Sequence, residues 1–252
     1  MSLKDNFPKA RFNSEAFKRI NDVLLQLNCN GTNTLFASSV CVDEINHTPT
    51  SLSARLADYW GECFYMGGLG GVPFVGKTGF VAYTHHVPKD GNIFILFASH
   101  VGVSPTGEVG KISRLGQDHL GSACGAAIGG YGALKDAALP GGQFDTAKLG
   151  SSEHDVQFDY LKKALQPKYA GISAHKNPQA KLSYDLYDII KEYVQNICKG
   201  FTEGKVILCG GTEINMTKPC EDFFECRFFQ VWENDVMKQD LLPMYENSIT
   251  YQ

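Results

Sequence analysis

The sequence predicts an α/β fold with a central, mostly parallel sheet flanked by helices. Apolar runs without polar alternation, such as Thr34–Val40 and Ile93–Ala98, are typical of parallel strands buried on both faces. Segments with apolar residues at helical spacing lie between these runs. At 252 residues the chain is long enough to bury one full core, and it shows no internal repeat or domain linker. We therefore expect a single domain over residues 1–252, with an N-terminal helix at about 14–28, a core at about 32–232 and a C-terminal tail at 233–252.

The expected helices and strands alternate along the chain. Residues 14–28 carry apolar side chains at helical spacing behind Asn13 and Ser14, which are good N-cap residues. Pro178–Lys199 has the clearest helical stripe, and proline suits the first turn of a helix. The expected elements in chain order are helix 14–28, strand Thr34–Val40, helix Ser51–Trp60, strands Phe80–Tyr83 and Ile93–Ala98, helices His154–Leu165 and Pro178–Lys199, and strands Lys205–Cys209 and Phe224–Trp232.

The composition is that of an ordinary globular protein and argues against several function classes. The 23 basic residues are scattered and the net charge is -4, so we expect no nucleic-acid partner. No apolar run approaches the ~20 residues needed to cross a bilayer, so we expect no membrane association. The N-terminus is polar and lacks a hydrophobic signal core. We expect a soluble protein that is cytoplasmic or, if a targeting peptide has been removed, in a plastid or other organelle stroma.

Three soft metal ligands lie at the ends of predicted elements. Cys41 directly follows the strand Thr34–Val40, and His100 closes the apolar run that begins at Ile93. Cys124 lies in a stretch of small residues, where we expect a turn. Because ligands bind outside the carboxyl ends of strands in an open α/β sheet, these side chains could meet at one point. Two thiolates and one imidazole, with a fourth position left open, make a catalytic Zn²⁺ site.

Such a site favours an enzyme that uses zinc-bound hydroxide, since zinc lowers the pKa of a bound water to about 7. Asp43 lies two residues after Cys41 and could accept the hydrogen bond of that water. In a partly buried site, a carboxylate needs a nearby cation to stay ionised. Arg55, on the helix that follows, is the nearest candidate, and its forked guanidinium suits a bidentate pair. We expect Asp43 and Arg55 to act together.

Other interpretations of these residues stay open. The cysteines could be small buried core residues, with His100 satisfied by the backbone. Cys41 or Cys124 could instead be a nucleophile that His100 activates and Asp43 orients. That interpretation leaves the second cysteine without a role.

The segment Gly71–Thr78 matches the P-loop expression GxxxxGK[ST], which would indicate a nucleotide-binding enzyme. A P-loop wraps phosphate with backbone N–H groups and continues into a helix. Pro73 removes one N–H, and the residues after Thr78 predict a strand. A tight loop is therefore the favoured interpretation of this segment.

Six short motifs occur in an order that is specific as a set. They are Cys41–Asn46, Gly67–Gly71, Gly76–Phe80, His86–Pro88, Ser99–Gly102 and Cys124–Ala126. Together they resemble the limiting-CO2-inducible B/C (LCIB-type) proteins, which are related to the theta class of carbonic anhydrases. The resemblance spans roughly residues 10–235.

The resemblance implies a β-carbonic-anhydrase-like fold that works as a homodimer. It implies Zn²⁺ held by Cys41, His100 and Cys124, and an Asp–Arg dyad formed by Asp43 with Arg55. The implied activity is the reversible hydration of CO2 to bicarbonate by a zinc-bound hydroxide. An inactive zinc-binding homologue, acting as a partner or scaffold in inorganic-carbon handling, is the main alternative.

The chain departs from the β-class pattern at two places, as LCIB-type proteins do. The β-class motif Cys-x-Asp-x-Arg is not kept, because Ile45 stands at the arginine position. The β-class motif His-x-x-Cys is absent as well, because Cys124 lies far from His100. The arginine of the dyad must therefore come from elsewhere in the chain.

Overall fold

The computed structural model describes residues 3–248. In this range the strands are β1 Arg11–Phe12, β2 Thr34–Ser39, β3 Phe64–Tyr65, β4 Asn92–Val103, β5 Lys111–Ser113, β6 Leu120–Ser122, β7 Lys205–Met216, β8 Phe223–Glu233 and β9 Val236–Asp240. The α-helices are α1 Leu3–Asn6, α2 Asn13–Gln26, α3 Leu52–Trp60, α4 Lys77–Thr84, α5 Gly125–Ala137, α6 Thr146–Leu149, α7 Val156–Leu165, α8 Tyr169–Ser173, α9 Pro178–Cys198 and α10 Leu242–Asn247.

The main sheet has the strand order β1-β8-β7-β4-β2-β3, and β9 pairs with β8. Its centre is parallel, because β4 pairs in parallel with both β2 and β7, and β3 pairs in parallel with β2. Strands β8, β1 and β9 extend the sheet in antiparallel pairs. A separate antiparallel hairpin is formed by β5 and β6. The predicted α/β class with a mostly parallel sheet is confirmed.

Both faces of the sheet are covered by helices, which explains the apolar character of β4. Ile93, Ile95 and Phe97 point into a core on the side of α9, whereas Phe94 and Leu96 point into a core on the side of α2 and α3. Because side chains of a strand alternate between faces, a strand covered on both sides must be apolar at every position.

The structure corrects two element predictions and adds detail to a third. Residues 80–83, expected to form a strand, are part of the helix α4. Phe80 and Tyr83 lie three residues apart and are both buried, whereas Val81 between them is 44% exposed. This spacing of buried residues is helical. Strand β4 continues to Val103, so His100 lies within the strand rather than at its end. The expected C-terminal tail contains β9 and α10, and Tyr245 of α10 is buried.

Among residues 3–248, every helix is too short or too polar to span a bilayer.

The glycine-rich segment 67–71 packs tightly against the residues that follow β2 and against the middle of β4. Gly71 has a φ of +89°, and a Cβ placed there would lie 2.4 Å from the carbonyl oxygen of Ala98 and 3.3 Å from the backbone nitrogen of Cys41. This close approach, together with the left-handed backbone, requires glycine.

We expect Gly71→Ala to lower the free energy of unfolding by about 1–3 kcal/mol or more, because the added methyl meets backbone atoms that cannot move aside. Gly132→Ala is the matched control. Gly132 lies in α5 with open space around it, so alanine there should raise the free energy of unfolding by about 0.5–1 kcal/mol. Urea denaturation of the metal-free protein measures both. Wild-type stability of the Gly71→Ala variant would contradict this account of the segment.

Candidate metal centre

Cys41 is held where β2 leaves the sheet. The backbone N–H of Met66 donates to Ser38 at 2.8 Å, and that of Val42 donates to Gly68 at 3.3 Å, so the chain on both sides of Cys41 is tied to the segment 65–68. The Cys41 carbonyl accepts a hydrogen bond from His47 Nε2 at 3.0 Å. The side chain of Cys41 is buried.

His100 lies on the central strand β4 and is 2% exposed. Its Nδ1 lies 2.9 Å from Asn215 Oδ1. Because a carbonyl oxygen only accepts, Nδ1 carries the hydrogen and Nε2 presents its lone pair. Among the described residues, this buried Nε2 has no hydrogen-bond partner. A buried imidazole lone pair without a donor is the state in which histidine ligates a metal.

Cys124 immediately precedes α5 and is brought to His100 by the β5–β6 hairpin. The N–H of Gly102 donates to Ala123 at 2.9 Å, which ties the residue before Cys124 to β4. Glycine at position 102 favours this close approach, because a Cβ there would lie 3.0 Å from the Ala123 side chain. The Cys124 side chain is 2% exposed.

The structure brings the three sequence-predicted ligands together. The sulfurs of Cys41 and Cys124 lie 3.8 Å apart, and all three ligand atoms, including that of His100, lie within 4.8 Å of one another. Two sulfurs that each lie about 2.3 Å from a tetrahedral zinc are separated by about 3.8 Å. The spacing of the thiols, the donor set and the unpartnered imidazole nitrogen therefore all fit Zn²⁺.

The two thiols differ in acidity in the metal-free site. The hydrogen bond with Cys124, and then burial, raise the pKa of Cys41 well above its ordinary value. The pKa of Cys124 is lowered, first by the hydrogen bond from Cys41 and also by backbone N–H groups at the start of α5. Cys124 is therefore the first of the two thiols to lose its proton, and binding of a metal by both thiolates would also release the proton of Cys41.

Asp43 lies beside the ligands and is paired with Arg114. The guanidinium makes a bidentate contact, with Nη1 at 2.8 Å from Oδ1 and Nη2 at 2.7 Å from Oδ2. Asp43 Oδ2 lies 4.0 Å from His100 Nε2, so the carboxylate faces the ligand cluster. Burial is the largest single influence and raises the pKa of Asp43, but the hydrogen bonds and positive charge of Arg114, with contributions from other neighbours, together hold the pKa below its ordinary value. Asp43 is therefore ionised at neutral pH.

The structure places Arg55 away from Asp43 and so corrects the expected Asp43–Arg55 pair. Arg55 Nη2 lies 3.6 Å from Glu221 Oε1, and its Nε donates to the carbonyl of Thr50. Arg55 lies on α3, and its guanidinium is engaged at the turn between β7 and β8. Arg114, which directly follows β5, forms the pair with Asp43 that was expected of Arg55.

Sequence reasoning missed Arg114 because it lies 71 residues from Asp43. The sequence does contain one signal. Arg114 is the only arginine between His100 and Cys124, and this segment must fold back so that both residues reach the same site. Asn215 and Asn46 were missed as well, since asparagine in an apolar strand or a loop carries no distinctive pattern.

The alternative interpretations are less well supported by the geometry. In Gly71–Val75 the N–H groups of residues 71, 72, 74 and 75 all donate to carbonyls of Met66, Gly68 or Leu69, and Pro73 has none. The helix α4 does follow, but these N–H groups are not free to wrap a phosphate. A cysteine nucleophile would not explain why two buried thiols converge on one imidazole.

Comparison with known proteins gives a family match and several similar solved structures. The family model of the limiting CO2-inducible proteins B/C β-carbonic anhydrases matches residues 10–233. The crystal structure of PtLCIB4, a homolog of the limiting CO2-inducible protein LCIB, is 31% identical, with a TM-score of 0.83 over 94% of this chain and 98% of that chain. A mutant of PtLCIB4 gives a TM-score of 0.86 at 31% identity, over 96% of this chain and 97% of that chain.

The crystal structure of LCIB is similar in fold, with 18% identity and a TM-score of 0.67 over 94% of this chain and 96% of that chain. No curated protein matches the chain. The family match covers most of the chain and includes Cys41, His100 and Cys124. The chain therefore belongs to the limiting-CO2-inducible B/C family of β-carbonic anhydrases.

Proposed function

We propose that this protein is a zinc-dependent carbonic anhydrase that interconverts CO2 and bicarbonate. The observation that carries the proposal is the convergence of Cys41, His100 and Cys124 beside an ionised Asp43. A bound Zn²⁺ would act as a Lewis acid and lower the pKa of a coordinated water to about 7. Family membership supports the same reaction.

Asp43 is the proposed catalytic carboxylate. Held on the edge of the ligand cluster, Asp43 would accept a hydrogen bond from the hydroxide that attacks CO2 and so point an oxygen lone pair of that hydroxide toward the carbon. An ionised carboxylate can only accept, so the direction of this hydrogen bond is set by its charge.

Arg114 keeps Asp43 in that state and in that place. Its bidentate contact engages both carboxylate oxygens, and its Nη2 is itself 3.2 Å from the carbonyl of Ser122 on β6. Glu44 also pairs with Arg114, through an oxygen on an exposed side chain. The dyad is therefore anchored to the hairpin that leads to Cys124.

We expect the wild-type protein to bind one zinc per chain and to accelerate CO2 hydration, with the rate abolished by a chelator. Cys124→Ser should lose zinc and activity together, because a serine hydroxyl is a poor ligand for zinc. Cys198→Ser is the control, since Cys198 is a buried cysteine outside the ligand cluster. Stopped-flow pH-indicator kinetics and metal analysis measure both properties.

Full zinc content in Cys124→Ser would overturn the ligand assignment. A fully zinc-loaded wild-type protein without activity would instead favour the non-catalytic scaffold alternative.

We expect Arg114→Ala to lower kcat/KM by about 10²-fold or more with zinc content unchanged, because Asp43 loses both its position and its counter-charge. Arg55→Ala, which removes an arginine bound to Glu221, should stay within about twofold of wild type. Without Arg114, burial raises the pKa of Asp43, so the acid limb of the pH–rate profile should move to higher pH. Equal effects of Arg114→Ala and Arg55→Ala on kcat/KM would show that Arg114 has no specific role beside Asp43.

We also propose that the protein is a homodimer that uses the surface around the segment 65–74. Val42, Tyr65 and Phe74 are 55%, 61% and 66% exposed, and backbone hydrogen bonds of Val42 to Gly68 and of Phe74 to Met66 hold the segments that carry them alongside residues 65–68. Exposed apolar patches of this kind mark interaction sites. Strand β3, which carries Tyr65, is also the terminal strand of the sheet.

We expect Phe74→Glu to convert the dimer to a monomer in sedimentation velocity, because the charge would be buried without a partner. Val236→Glu is the control, since Val236 is 55% exposed on β9, at the other end of the sheet. A wild-type protein that is monomeric at high micromolar concentration would contradict the proposal.

A further inference from the structure

The imidazole of His100 is oriented by the buried side-chain amide of Asn215, to which the proposed function assigns no role. Asn215, on β7, is 1% exposed and accepts from His100 Nδ1 at 2.9 Å. Strand β7 runs parallel to β4 with Gly102 opposite Asn215, which brings the amide to the level of the ligands. The hydrogen on Nδ1 leaves the Nε2 lone pair as the only free position on the ring.

The orientation of the Asn215 amide is itself fixed. Its Nδ2 donates to Asn46 Oδ1 at 3.2 Å and to the carboxylate of Asp222. Asp222 is 2% exposed and is held by the N–H of Met216 at 2.7 Å and by Lys218 Nζ at 3.3 Å. A flipped amide would set its oxygen against two acceptors and its NH2 against His100 Nδ1, so only one orientation is favourable.

The same chain of amides reaches the backbone of Cys41. Asn46 is fully buried, its carbonyl accepts from Ser53 at 2.8 Å, and its Nδ2 lies 3.5 Å from the carbonyl of Cys41. Every hydrogen bond in the series therefore points one way, from His100 through Asn215 and Asn46 to Cys41. Buried polar groups that are fully connected in this way rigidify their surroundings.

We propose that Asn215, supported by Asn46 and Asp222, is a positioning residue that sets the tautomer of His100 before any metal binds. The proposal rests on the proposed zinc function. Asn215 makes the metal-free site ready to bind, because the ring needs neither to rotate nor to exchange a proton between its nitrogens. Partners that orient ligating histidines typically raise metal affinity by about 10–100-fold, and we expect an effect of this size from Asn215.

The test compares Asn215→Leu with wild type in two measurements. In ¹⁵N NMR of the metal-free protein, recorded at a pH where the His100 imidazole is neutral, His100 should show a protonated Nδ1 and a bare Nε2 in wild type, and a mixture of tautomers in Asn215→Leu. In chelator competition, the zinc dissociation constant of Asn215→Leu should rise by about 10–100-fold. Asn21→Leu is the matched control, because Asn21 on α2 is also buried, at 5% exposure, and should leave both properties unchanged.

Asn215→Asp tests the acceptor itself. An aspartate keeps an oxygen acceptor at His100 Nδ1 but removes the amide N–H groups that donate toward Asn46. We expect this variant to recover the wild-type tautomer and most of the zinc affinity. Loss of the tautomer in Asn215→Asp as large as in Asn215→Leu would show that packing, and not the hydrogen bond, orients the ring.

Wild-type zinc affinity and a wild-type tautomer in Asn215→Leu would overturn the proposal. If Asn215→Leu does not fold, Asn46→Ser carries the test, since it removes the acceptor that orients the Asn215 amide and should weaken zinc binding in the same direction. Unchanged affinity and tautomer in Asn46→Ser would then overturn the proposal. Failure of the wild-type protein to bind zinc would contradict the proposed function instead, while the tautomer of the metal-free protein would still test the role of Asn215.

Discussion

The pairing of the parallel strands β2, β4 and β7 is the constraint on which the rest of the structure depends. Strand β2 ends with Ser39 opposite Phe97, whereas β4 and β7 continue together as far as Val103 and Met216. The chain that leaves β2 therefore turns across strands that are still paired, and Cys41 comes to lie beside His100. A shift of one residue would send every side chain of β4 to the opposite face. The buried rows of apolar residues on both faces exclude that shift.

A second constraint is charge. Two thiols, an imidazole and a carboxylate are gathered in a region where water is largely excluded, and an isolated charge there would be costly. The hairpin β5–β6 resolves this with two contributions from one element: it brings Arg114 to Asp43, and it leads directly into Cys124. Position and charge balance are therefore coupled, because the segment that supplies the cation also supplies the last sulfur.

Much of the fold, and the convergence of Cys41, His100 and Cys124, could be predicted from the sequence, and the failures have local causes. The apolar runs that form β2 and β4 predict buried parallel strands, and soft ligands next to them predict a metal site. Residues 80–83 of α4 resemble a strand in sequence, because four residues are too few to distinguish the helical period of 3.6 from the pattern of a buried strand. The pairing of Asp43 with Arg114, and the amide of Asn215, depend on tertiary contacts across distant segments. Proximity in sequence favoured Arg55, but the direction of α3 turns that arginine toward Glu221.

The distances along the chain between Cys41, His100 and Cys124 also bear on how the protein would acquire a metal at this site. Short chelating motifs can capture zinc in an unfolded chain, but here no two of the three ligands lie within the same short segment. Parallel strand pairing is non-local and therefore forms slowly. The ligands can meet only after β2, β4 and the hairpin have assembled, so zinc would enter late in biogenesis. An ion that binds only the finished fold stabilises it by mass action and gives little assistance to earlier steps.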